Sequence, residues 1–281
     1  MLLFRKVLLA FTAGLGIATF CAGHASAQEK SIVVASTTSA QDSGLFEYLL
    51  PLFTSKTGIA VKVLAQGTGQ ALDAARRGEA DVVLVHNRGA EQRFIVEGHG
   101  VKRLPLMYND FVLVGPKSDP AGIGGMKDVS DALQIIKDKQ ASFISRGDRS
   151  GTHLFELMLW NKDVGINIER DHGEWYKSPG VGMEQALDLA ASNTAYALSD
   201  RGTWLHHQNK RDQQVLVEGD GRMFNQYAAI LVDPVKHPNV KKDLGQALID
   251  WLVSPEGQGA IANFKIGDQQ LFYPNANDPG R

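Results

Sequence analysis

Cysteine is almost missing from this sequence. Cys21 is the only one among 281 residues, and it stands in a segment that reads as a removable leader. Arg5 and Lys6 give a basic start, Val7 to Phe20 an apolar run, and Ala25-Ser26-Ala27 a small-residue cleavage site, so residues 1–27 are predicted to be a secretory signal. A lipid anchor on Cys21 needs a small residue before it, and Phe20 is there instead. The alternative of an uncleaved membrane anchor meets a run shorter than the roughly 20 apolar residues that a span requires. The chain after residue 27 has no cysteine, which excludes disulfides and thiol chemistry and leaves stability to the core.

Positive charge is scarce too. The leader holds two basic and no acidic residues, so beyond it 27 Lys and Arg face 31 Asp and Glu, a net charge of −4. That balance argues against nucleic acid or anionic lipid as partners. If such a chain binds an anion, local geometry must do it. No repeat of fixed period and no low-complexity tract occurs. Gly-x-Ser-x-Gly, Walker and His-Glu-x-x-His motifs are absent, and so is any pairing of nucleophile with base. No enzyme and no catalytic residue is therefore expected; a secreted phosphate-ester hydrolase using Asp148 or His153 is the weakest reading. His206 and His207 are adjacent, so one helix could not turn both toward one ion, and neither a cation site nor a cofactor is expected.

What the chain does contain is a rhythm. Short apolar runs at 32–35, 60–64, 81–86 and 111–115 alternate with helical spacing at 45–53, 71–77 and 91–98. Later strands are predicted at 142–145, 194–198, 214–218 and 227–232, and a helix over 240–253 that Ser254-Pro255 ends. This is the pattern of an α/β fold, with mixed sheets covered by helices, and 254 residues suffice for two domains. Residues 109–116 and 225–234 echo each other as strands that leave one unit for another, which puts crossings near 110 and 225.

Three strand-to-helix junctions carry the chemistry. Ser36-Thr37-Thr38-Ser39 offers four hydroxyls beside free N–H groups, although, taken alone, ordinary capping by Ser39 with Asp42 three residues on is the better explanation. Gln66-Gly67-Thr68-Gly69-Gln70 permits close backbone approach and adds the Thr68 hydroxyl, with a plain turn as the alternative. Arg146-Gly147-Asp148-Arg149-Ser150-Gly151-Thr152 holds more than a cap needs. A guanidinium facing a helix N-terminus sets two positive potentials side by side, which an anion between them would relieve. Asp148 is then the partner that steadies Arg146, against the alternative of a simple surface ion pair. The junctions donate hydrogen bonds far more than they accept them, so a fully deprotonated oxyanion suits them.

These stretches, with Val63 to Ala71, Ala80 to His86, Met107 to Val112, Phe143 to His153 and Ala197 to Thr203, resemble the periplasmic substrate-binding proteins of ABC transporters, specifically the tungstate-binding type. The likeness spans nearly all of 31–281. Phosphate-binding proteins share the Arg-x-Asp-x-Ser-Gly-Thr core, so phosphate, or sulfate, is the nearest rival ligand. Ser36, Ala40 and Asn87-Arg88 depart from the tungstate pattern without changing the ligand class.

The resemblance implies a type II two-lobed fold whose hinge strands join 28–110 plus 226–281 to 111–225. It implies that Thr38, Ser39 and Thr68 line one wall of a cleft and Arg146, Ser150, Gly151 and Thr152 the other, with Thr37, Gly182, Met183 and Arg201 as further contacts. It also implies a tungstate or molybdate ligand, a periplasmic location, a membrane permease as partner and a monomeric state.

Overall fold

The computed structural model describes residues 30–276, so the leader and its cleavage site lie outside the described residues. In chain order the first elements are β1 (Ser31–Thr37), α1 (Thr38–Asp42), α2 (Leu45–Thr57), β2 (Ala60–Gln66), α3 (Thr68–Arg76), β3 (Val82–Val85) and α4 (Arg88–Val96). The 17-residue β4 (Gly100–Pro116) leads away to α5 (Val129–Asp138), β5 (Phe143–Ile144), α6 (Gly151–Met158) and α7 (Ile168–Asp171). Next come β6 (Tyr176–Lys177), α8 (Met183–Ser192), β7 (Ala197–Asp200), α9 (Arg201–His206) and β8 (Gln213–Val217). The chain returns through β9 (Phe224–Val232) to α10 (Lys242–Val253) and α11 (Pro255–Asn263). It closes with β10 (Lys265–Ile266), β11 (Gln269–Gln270) and β12 (Tyr273–Pro274).

One strand joins two halves. From Gly100 to Asp110, β4 pairs antiparallel with β9; from Phe111 to Pro116 it pairs antiparallel with β7 and β8. The first half orders its strands β12-β4-β9-β3-β1-β2, with β1 parallel to both β2 and β3. In the second half, β5 lies parallel to β6 and meets Tyr196, just ahead of β7, through a parallel bridge. The two mixed sheets that were expected are joined through β4, whose ladders run together as one eight-stranded whole. The strand predicted at 111–115 is only the end of β4, because Lys102, Arg103 and Pro105 interrupt the apolar pattern upstream.

Each half is covered on both faces, and strand alternation decides which residue goes where. Along β3, Val82 and Leu84 pack with α2 and α10, whereas Val83 and Val85 pack with α3 and α4. Along β4, Phe111 and Leu113 join Trp160 and α5, whereas Val112 and Val114 join α8. Every residue of β3 is buried, as a strand with helices on both sides requires.

Candidate functional site

The carboxyl ends of β1, β2, β3, β5 and β7 release the chain into helix starts, where backbone N–H groups lack partners within their helix. Arg146 lies two residues beyond β5 and is buried, with 1% of its surface exposed. Its Nη1 donates to Ser39 Oγ at 2.8 Å, and its Nη2 donates to Thr38 Oγ1 at 2.8 Å and to Asp148 Oδ2 at 2.5 Å. Thr38 and Ser39 belong to the first half and Arg146 to the second, so the guanidinium ties the two together. Asp148 Oδ1 receives the Ser150 N–H at 3.1 Å, which fixes the carboxylate to the start of α6. Nε of Arg146 has no partner among the described residues.

The hydroxyls divide into those in use and those free. Ser150 Oγ accepts from His153 N and caps α6, and Thr37 Oγ1 accepts from Ala40 N and caps α1. Ser36 Oγ donates to Leu84 O at 2.6 Å. Thr68 Oγ1 and Thr152 Oγ1 are buried without a hydrogen-bond partner among the described residues. The Gly67 start of α3 has no side chain to cap it, so that helix also keeps N–H groups free. Glycine is required at two contacts. A Cβ on Gly67 would stand 2.9 Å from Asp148 O, and one on Gly151 would stand 2.7 Å from Cε1 of His86.

Several expected contacts fall elsewhere. Arg201 gives Nε and Nη2 to Asp110 at 2.6 Å each, and Nη2 also to Glu218 at 2.8 Å, so its charge is matched beside the crossing strand and not at the helix starts. Met183 sends its side chain into the core against Ile144 and Leu187. Gly182 precedes α8 without a side-chain cap, next to Val181, whose N–H donates to Arg146 O at 2.9 Å. Arg149 is exposed, with φ of 59°.

His86 was missed in the sequence, and so was the bonding of Asp200 to Thr203. His86 follows β3 directly, the same position relative to its strand that Thr38 has after β1, and that repetition was the available signal. Its Nδ1 meets Asn225 Oδ1 at 2.8 Å, its ring stacks on Tyr227 at 4.5 Å, and Nε2 has no partner. Burial pushes the imidazole down to about 4, so it is neutral near pH 7. Asp200 is also buried, with burial raising its carboxyl. Its two oxygens receive the N–H and the hydroxyl of Thr203. The same hydroxyl lies 3.3 Å from Ser39 O, so its one hydrogen is shared between Asp200 and the backbone of the other half. Asp42, near Arg146, is pushed up to about 6, chiefly by burial. Among the described residues no group of three or more metal-ligating side chains could hold a cation.

The arrangement is rich in donors and buried in both halves. Residues 22–256 match the PBP superfamily domain. The tungstate-binding protein TupA of Peptoclostridium acidaminophilum is 45% identical over 251 residues, covering 88% of this chain and 86% of the relative. A tungstate ABC transporter structure from Geobacter sulfurreducens is 46% identical with a TM-score of 0.77, covering 84% of this chain and 99% of that one. The tungstate-binding TupA from Desulfovibrio alaskensis G20 is 42% identical with a TM-score of 0.74, covering 88% and 99%. The family match and identity across most of its length make this chain a member of the PBP superfamily, a substrate-binding transport protein and not an enzyme.

Proposed function

We propose that the protein captures tungstate between its two lobes and delivers it to an ABC transporter permease from the periplasm, working as a monomer. Its relatives are named for tungstate over most of this chain's length. The observation that carries the reading is buried Arg146, held by Thr38, Ser39 and Asp148, beside the partnerless hydroxyls of Thr68 and Thr152. A doubly charged tetrahedral oxyanion would relieve all of these at once, taking charge-assisted bonds from Arg146, Thr68, Thr152 and the N–H groups at Thr38, Ser39 and Gly151. In this reading the lobes are 28–110 plus 226–281 and 111–225, and closure about the strands near 110 and 225 brings their donors together.

The choice among anions rests on acceptors. Both oxygens of Asp148 and both of Asp200 already receive hydrogen bonds, which disfavours a ligand that carries an acidic proton. Tungstate and molybdate are unprotonated dianions near neutral pH, whereas phosphate keeps a proton that wants an acceptor. Thermal denaturation with each anion tests this. Binding to the native state alone adds about 4 kcal/mol at a thousandfold excess over Kd. Tungstate should raise Tm while phosphate barely does, and a larger rise with phosphate overturns the assignment.

A further inference from the structure

Beside the seam lies a cavity of about 660 Å³, lined by both halves. One wall comes from α4 and carries Arg88 at its start and Arg93 in its last turn; the other is α6 with the turn after it, and carries Lys162. These three cations have exposed side chains and make no ion pair with any described residue, whereas Arg103 and Arg222 on the same lining are matched by Glu91 and by Asp128 and Asp220. The cavity and the donor site share Gly151, and the His86 ring lies against that glycine as the partition between them. A chain whose acidic residues outnumber its basic ones repels dianions overall, so a cluster of unmatched cations beside the seam bears on how they arrive.

We infer that this cavity is the encounter site for the oxyanion, where Arg88, Arg93 and Lys162 hold it loosely before the halves meet and His86 closes on Gly151 behind it. The inference rests on the tungstate reading and deepens it. The rest of the lining explains why residence there is brief. The floor is the stacked pair Phe111 and Phe155, with centroids 4.5 Å apart, which gives an anion no hydrogen bond. Neutral His86 holds its Nδ1 hydrogen in the bond to Asn225, which leaves Nε2 a lone pair that repels an oxyanion. One buried donor on the lining, Nη2 of Arg103, has no partner among the described residues, but that guanidinium is already held by Glu91; the exposed cations attract at the rim and favour passage over storage. Such charges act on the association rate and leave dissociation to the buried donors.

Stopped-flow measurement of tryptophan fluorescence on mixing with tungstate tests this, using Arg93→Glu/Lys162→Glu. The control, Lys117→Glu/Lys242→Glu, makes the same change in net charge at the far ends of the two sheets. At low ionic strength the cavity variant should associate at least about fivefold more slowly than the parent, with dissociation unchanged. The deficit should shrink as salt shortens the Debye length below about 10 Å. The control should stay within about twofold of the parent. Equal slowing of both variants, no slowing of the cavity variant, or a change confined to dissociation would each overturn the encounter role. A parent protein that gives no response to tungstate would sink the ligand reading, and the encounter role with it. A normal parent beside an unaltered cavity variant sinks the encounter role alone.

Discussion

Thr68 and Thr152 carry buried hydroxyls that no described group engages, so valine at either position removes a polar group that already lacks a partner. Such a change should leave the Tm of the ligand-free protein unchanged or higher, because an unsatisfied buried hydroxyl is costly. The same change should weaken tungstate binding by about 1.5–3 kcal/mol, the range for hydrogen bonds to charged groups. Calorimetry and thermal denaturation on each variant separate the two effects; a fall in stability with unchanged affinity would mark the hydroxyls as structural. Arg146 behaves differently, because it also bonds Thr38, Ser39 and Asp148. Arg146→Ala should cost about 2–5 kcal/mol of tungstate affinity. Arg146→Lys should keep part of it, with the charge present and the planar fork lost. Exposed Arg149→Ala should change affinity little, and titration of the three variants ranks them. If Arg149→Ala proves the most damaging, the wrong arginine has been placed at the anion.

At the scale of elements, the start of α6 must come within contact distance of His86, and Gly151→Ala would place a Cβ 2.7 Å from that ring. Because φ at Gly151 is ordinary, the helix itself should survive. Tungstate dissociation should therefore quicken several-fold while the ligand-free Tm moves little, which stopped-flow with a tungstate trap can read. How much of this was visible in the sequence depended on the length of each signal. The junctions at 36–39, 66–70 and 146–152 showed because three of them packed hydroxyls, glycines and an arginine into a few residues. The first part of β4 did not show, since its apolar residues are broken by charges that face solvent or Glu91. Arg201 was misjudged because sequence gives no sign that Asp110, 91 residues away, receives it. Ser254-Pro255 was read as a stop for one helix, yet Ser254 also caps α11, with Pro255 in its first turn. A terminator in sequence can equally be a beginning.

Across the whole molecule, pH should act on stability through its buried acids. Glu156 is buried and receives the Tyr176 hydroxyl at 2.7 Å and the Trp160 N–H at 3.3 Å, yet burial dominates and pushes it up to about 7. With the folded value above the unfolded 4.5, the native state holds a proton that the unfolded chain has released between about pH 4.5 and 7. Stability from this group is therefore present below that window and lost as pH rises through it. His86 runs the other way: its value falls from 6.5 to about 4, so its contribution is lost as pH drops through that interval. Urea denaturation of Glu156→Gln and the parent isolates the acid. The variant should gain about 2–3 kcal/mol on the parent between pH 4.5 and 7.5. A constant difference across that range would show that Glu156 titrates normally.

The strand that serves both halves bears on how this protein can be taken apart. Because β4 gives its first eleven residues to the ladders with β9 and β12 and its last six to those with β7 and β8, no cut along the chain separates one half from the other with every ladder intact. Either fragment would carry the raw edge of half a strand, and the second half would also lose the return through β9. The two halves are therefore not interchangeable modules that a gene could acquire or exchange one at a time. Whatever variation reaches the anion site has to come from the loops at the strand ends, on a frame inherited whole.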